Sequence, residues 1–225
     1  MTTLARQVVI FDLDGTLVDT IPDIAAALGR ALEGTGVAPP PLEVVKRMVG
    51  DGARELVRRA LAAEPADSAR EEAVLARLLA AYRENACVAS RLYPDVADGL
   101  AALRGDGVAL AVVTNKLGDV ARTLLGTLGI AASFEAIIGD GDGFPRKPDP
   151  AAARSVLLRV GGAPERTAVV GDGLPDMRLA RALGATAVAA TWGYAAAEAL
   201  AGEGPQFSAG SFSEAVSIVR RLAAG

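Results

Sequence analysis

Mainly apolar runs of four to six residues recur along the chain at 7–11, 108–113, 135–138, 167–170 and 186–190. A polar turn and a helix-period pattern follow them, with helices expected over 96–104, 118–128, 150–160 and 175–183. A last helix, 211–222, opens with Ser211 as N-cap and Glu214 three residues on, a capping box. Continuous apolar runs alternating with helices predict parallel strands buried on both faces, an α/β fold.

One stretch breaks the alternation. Between the first two strands the pattern is helical throughout, at 23–33, 42–49, 53–63 and 69–85, with GTGVAPPP and EPADS as loops. The expected organisation is a parallel-sheet core of residues 1–19 and 90–225 with an all-α insert over 20–89.

Composition narrows the chemistry. The 225 residues include no histidine and a single cysteine, Cys87. Ser-His-Asp triads, Cys-His pairs and Cys/His zinc sites are excluded. No intrachain disulfide can form, which suits a reducing compartment, and Cys87 reads as a small buried apolar residue. With 23 basic against 27 acidic residues and no basic block, a nucleic-acid-binding face is not expected. No apolar run approaches the ~20 residues that span a bilayer. The opening MTTLARQVVIFDLDG does not read as a signal peptide. The chain is expected to be cytoplasmic, a monomer or homodimer, with no membrane partner. Its only lysines are Lys46, Lys116 and Lys147.

Those strand ends carry the candidate chemistry. The first is FDLDGTLVDT, and residues two apart in a strand face one side, so Asp12 and Asp14 point together with Leu13 opposite. A lone Asp-Gly marks a turn, but a DxDGT after a buried apolar run points to function. In TAVVGDGLPDMRLA, Asp172 sits at the strand exit. Asp176, just after Pro175, is explained equally well by the helix dipole. Thr114 and Asn115 end the second strand, where capping the next helix competes with binding an anion. Lys147 precedes a helix begun by Asp149-Pro150; taken alone it would be a surface lysine.

Together these residues say more. Ligands of open parallel sheets bind beyond the carboxyl ends of the strands, and Asp12, Asp14, Thr114, Lys147, Asp172 and Asp176 all lie there. Each carboxylate pair at ~5 Å repels by ~3 kcal/mol at an effective dielectric of 20. A hard cation with oxygen ligands, magnesium above all, would relieve this, with Lys147 adding charge.

FDLDGTLVDT, AVVTNK, RKPDP and VVGDGLPDM, in that order, resemble the four motifs of the haloacid dehalogenase superfamily over essentially the whole chain. The resemblance implies a Rossmann-like core with a helical cap domain. It implies Asp12 as nucleophile forming an aspartyl-phosphate, and Asp14 as acid-base whose carbonyl also holds Mg2+. Thr114 and the Asn115 backbone would bind the phosphoryl group, and Lys147 would neutralise charge. Asp172 would ligate the metal alongside Asp12, with Asp176 behind.

An acid two residues after the nucleophile favours phosphate-ester hydrolysis or a phosphomutase over dehalogenation. The absence of a cap histidine counts against the mutase. MVGDGA, RLYPDV, Asn115-Lys116 and TWGY resemble the phosphoglycolate phosphatase branch, implying a small phosphorylated metabolite as substrate. Pyrophosphatases and sugar phosphatases share these signals in part. Gly173 departs from that branch, which usually carries serine there. Candidate substrate contacts are Thr16, Gly50, Arg54 and Lys116, with Arg54 expected to meet a carboxylate and Lys46 and Arg47 behind it. A non-hydrolytic phospho-receiver is the alternative from another class; it needs neither a lid nor a DxD pair. The connectors 17–22 and 90–94 are expected to act as hinges.

Overall fold

The computed structural model describes residues 5–62 and 67–224, so most of the EPADS loop and the end of the expected helix at 53–63 lie outside them. In chain order the elements begin with β1 (Arg6–Phe11), β2 (Val18–Asp19), α1 (Ile21–Leu32), α2 (Leu42–Met48), α3 (Ala53–Leu61) and α4 (Ser68–Glu84). They continue with β3 (Arg91–Leu92), α5 (Val96–Gly105), β4 (Ala109–Leu117), α6 (Gly118–Thr127), β5 (Ala136–Asp140), α7 (Ala151–Val160) and β6 (Gly162–Gly171). The last are α8 (Leu174–Leu183), β7 (Thr186–Ala190), α9 (Ala197–Gly202), β8 (Phe207–Ala209) and α10 (Phe212–Ala224).

Six strands form a parallel sheet in the order β5-β4-β1-β6-β7-β8. The order reverses at β1, so the crevice beyond its carboxyl end is flanked by the ends of β4 and β6. Period-two alternation divides β1 between two cores: Val9 and Phe11 pack under α5, α6 and α10, while Val8 and Ile10 pack under α7 and α8. Both faces are covered, which is why these strands read as unbroken apolar runs.

Helices α1–α4 build a third core around Leu28, Val45, Val57, Val74 and Leu78, joined by Val120 of α6. The two connectors are not independent strings. β2 and β3 pair antiparallel through Val18–Leu92 and Asp19–Arg91, too short to signal in sequence. Asp23 in the first turn of α1 adds a second fastening. Its carboxylate accepts the backbone N–H groups of Val88, Ala89 and Ser90 at 2.8–2.9 Å, and the Ser90 hydroxyl at 2.6 Å.

Smaller departures have local causes. The short strand β8 and helix α9 gave too few positions for a period. Ser211 caps α10 by accepting the Glu214 N–H at 3.2 Å, but Glu214 reaches back to the Gly210 N–H, so the box closes one residue early. Asp149 accepts the Ala151 N–H at 2.8 Å, and α7 begins at Ala151 rather than at Pro150. Cys87 is half-buried against the sheet core, and burial and Asp23 push its thiol up. Among the described residues, no helix is long and apolar enough to cross a membrane.

Burial raises the Asp23 carboxyl, but its four donors outweigh that and hold it below the usual value. Its stabilisation is therefore present above the unfolded pKa of about 4 and lost as pH falls through the lower folded value. Asp23→Ala should cost about 1–2 kcal/mol at pH 7, since water can reach Val88 and Ala89 once the carboxylate is gone. Urea unfolding should show that difference shrinking below pH 4.

Candidate active site

Asp12 extends β1 by one ladder bond, its N–H donating to the Val170 carbonyl at 2.9 Å. The chain then turns sharply: the N–H groups of Thr16, Leu17 and Val18 gather on the Leu13 carbonyl, and Gly15 takes φ +85°, a conformation glycine adopts without steric cost. Leu13 goes into the apolar core, whereas Asp12 and Asp14 both face two adjoining cavities.

Asp172 follows β6 and is wedged in place. The Thr16 hydroxyl donates to one carboxylate oxygen at 2.7 Å and the Tyr194 N–H to the other at 2.8 Å. A Cβ on Gly15 or Gly193 would collide with this carboxylate, so both positions form a cradle around it. Asp176 answers to both sequence readings. One oxygen accepts the Gly173 N–H at 3.0 Å at the start of α8; the other lies 2.7 Å from Lys147 Nζ.

Lys147 is no surface lysine, its side chain being 1% exposed. Its Nζ is also 2.7 Å from Asp12 Oδ1, a buried oxygen with no other polar partner among the described residues. Burial lowers the Lys147 ammonium, but Asp12 and Asp176 outweigh it and hold it above its ordinary value. Burial, then the Asp12 charge, push Asp172 up to about 8. Asp176 is raised for the same reasons despite Lys147. All three shifts express one imbalance: three buried carboxylates share a single ammonium.

Asp12, Asp172 and Asp176 bring carboxylate oxygens within 4.8 Å of one another, a group that could hold a metal ion. Three carboxylates against one ammonium, the glycine cradle around Asp172 and the oxygen-only donor set fit a hard divalent cation. Asp176 has both oxygens engaged within the protein, and the Asp14 carboxylate is turned to Lys116, its Oδ1 3.0 Å from Lys116 Nζ.

Thr114 and Asn115 do not cap α6, whose start carries no side-chain cap. Thr114 lines the narrower cavity with Asp12, Asp14, Gly50 and Lys116. The Asn115 carboxamide accepts the Lys147 N–H at 2.8 Å and donates to the Gly50 carbonyl at 3.0 Å, joining the core to the α2–α3 loop. Two expected substrate contacts are elsewhere. Thr16 is fully buried with its hydroxyl committed to Asp172. Arg54 is drawn to Glu71 and Glu72 on α4, at 3.1 and 2.5 Å, and lines neither cavity. Lys46 and Arg47 do line the wider one.

Tyr194 had been noted in sequence only as part of TWGY. Its N–H holds Asp172, while its hydroxyl accepts the Thr20 N–H at 2.7 Å and donates to Asp19 Oδ1 at 3.1 Å, tying the carboxylate cluster to the start of α1. No sequence period could signal this link, since 174 residues separate Thr20 from Tyr194.

A model of the haloacid dehalogenase-like hydrolases matches residues 9–190. A phosphoglycolate phosphatase of Pseudomonas putida is 44% identical over 85% of this chain and 71% of its own length. One from Colwellia psychrerythraea is 34% identical over 96% and 98%. A crystal structure described as a predicted phosphoglycolate phosphatase from Haemophilus somnus superposes with a TM-score of 0.88 at 30% identity, covering 95% of this chain and 97% of that one. Strand-end carboxylates, buried lysine, helical insert and these similarities agree: the chain belongs to the haloacid dehalogenase-like hydrolase family.

Proposed function

We propose that the protein is a magnesium-dependent phosphatase that hydrolyses a small phosphate monoester, 2-phosphoglycolate, through an aspartyl-phosphate. The observation that carries this reading is the Asp12–Asp14 pair on one side of the β1 exit, Asp12 against Lys147, which it shares with Asp176, and Asp14 against Lys116. An Asp12 carboxylate oxygen attacks phosphorus and the ester oxygen leaves with a proton from Asp14. Asp14 then takes a proton from the water that attacks the aspartyl-phosphate, releasing Asp12 and inorganic phosphate. Lys147 lowers the repulsion between Asp12 and the incoming phosphate, Asp176 holds Lys147, and Thr114 with the Asn115 N–H receives the phosphoryl oxygens. Magnesium held by Asp12, Asp172 and the Asp14 carbonyl would supply the remaining positive charge that phosphoryl transfer requires.

The substrate reading is supported by the relatives' names. In this proposal residues 20–89 act as a cap that closes over the core of residues 1–19 and 90–225, opening on the connectors. A cytoplasmic setting, consistent with a single cysteine, belongs to the same reading.

Phosphate release should be fastest, by kcat/KM, from 2-phosphoglycolate in a panel with pyrophosphate, sugar phosphates and p-nitrophenyl phosphate. Equal or better turnover of a sugar phosphate would remove the substrate assignment. Asp12→Asn should abolish turnover of every substrate, and Asp14→Asn should slow it ~10²–10⁴-fold. Stable Asp12 phosphorylation without phosphate release would favour a receiver instead.

Metal removal gives a separate readout. Between pH about 4 and about 8 the metal-free folded chain keeps a proton on Asp172 that the unfolded chain has lost. Its stability should therefore fall as pH rises through that window. Magnesium, competing with that proton, should raise Tm more at pH 8 than at pH 5.5, with Asp172→Asn losing most of the gain.

A further inference from the structure

Lys116 is the least expected cation in the molecule. Its Nζ lies 3.0 and 3.3 Å from the two Asp14 carboxylate oxygens, with the two side chains 6% and 12% exposed. The face of the Tyr82 ring is 5.1 Å away. Burying such a pair is weak support for a fold, because desolvation offsets most of the attraction. The chamber around it has one apolar side, Ile24, Val49, Leu56 and Leu117, and one polar side, Asp12, Thr114, Asn115 and Asp140; among its described lining residues Lys116 is the only lysine or arginine. Lys46 and Arg47 line the wider cavity instead, and Arg54 is held by glutamates.

Building on the phosphatase reading above, we propose that Lys116 reads the carboxylate of the leaving alcohol, and that its spacing from Asp14 selects acids carrying that carboxylate one carbon from the ester oxygen. An acid that protonates the leaving oxygen must come within ~2.6–3.2 Å of it. Lys116 Nζ, 3.0 Å beyond Asp14 Oδ1, is then at most ~6 Å from that oxygen. In a 2-phosphooxy acid the carboxylate oxygens lie ~3 Å from the ester oxygen, and an ammonium-carboxylate contact spans a further ~2.8 Å. The two lengths fill the gap. An added methylene lengthens the arm by ~1.3 Å, so it must bend to make the same contact and loses rotamer freedom in doing so. Lysine has three N–H donors, so Asp14 leaves at least one for the substrate.

The test compares 2-phosphoglycolate with 2-hydroxyethyl phosphate, which replaces the carboxylate by a hydroxymethyl group of similar size. Wild-type enzyme should prefer the acid by ~100-fold in kcat/KM, mostly through KM, and Lys116→Met should reduce that preference to within ~3-fold. Absolute rates will fall for both substrates because Asp14 loses its partner, so the ratio is the readout. A wild-type-like ratio in Lys116→Met, or a collapsed ratio in Lys46→Met instead, overturns the assignment to Lys116. A wild-type enzyme with no preference for the acid overturns the substrate reading itself. Should Lys116→Met not fold, wild-type enzyme with 3-phosphooxypropionate still tests the spacing: a kcat/KM at least ~10-fold below that of 2-phosphoglycolate is expected, and parity refutes it.

Discussion

The packing at the strand ends is organised around buried negative charge. Asp12, Asp172 and Asp176 crowd within 4.8 Å at the carboxyl edge of the sheet, facing one ammonium. Such a cluster is costly without compensation, and the neighbouring residues are chosen accordingly. Gly15 and Gly193 give up side chains so that Asp172 fits; Thr16 and Tyr194 give it two donors; Gly173 gives one to Asp176. None of these contacts requires the substrate. They fix the carboxylates beforehand, and such preorganisation lets a site concentrate charge before any ligand arrives.

The core of the fold was legible because burial on both faces writes itself as unbroken apolar runs, and alternation placed Asp12 and Asp14 on one side with Leu13 opposite. Asp172 and Lys147 could be placed for a related reason: open parallel sheets gather their ligands at one edge, so sequence position relative to a strand end is spatial information. Arg54 could not be placed this way. Its direction depends on which face of α3 meets α4, and the acidic pair Glu71-Glu72, seventeen and eighteen residues on, decided it. Thr16 is a similar case: the turn at Gly15 carries its hydroxyl onto Asp172, a position that strand alternation does not give. Tyr194 and the β2–β3 pairing depend on contacts across most of the chain, where local pattern says nothing.

Lysine scarcity turns out to be informative. Of the three, Lys147 and Lys116 have side chains buried at the strand ends against acidic partners, and the third, Lys46, lines the wider cavity with its ammonium 5.9 Å from the Tyr194 ring centroid. Arginine supplies most surface ion pairs, such as Arg122–Asp142 and Arg178–Glu203. Lysine places a compact point charge on a flexible stem, whereas arginine presents a planar fork suited to two-point pairing with carboxylates.

The paired connectors bear on how the helical unit can move. Two unpaired strands would let it swivel, slide and tilt independently of the sheet. Because Val18–Leu92 and Asp19–Arg91 make the connectors one ribbon, and the Tyr93 N–H adds a bond to the Leu17 carbonyl, the two crossings cannot slide past each other without breaking backbone bonds. A ribbon of this kind bends across its flat face far more readily than it shears. In the cap motion proposed above, the helical unit would keep one soft direction, like a door on a strip hinge, and each return would bring the α2–α3 loop back over the same carboxylates.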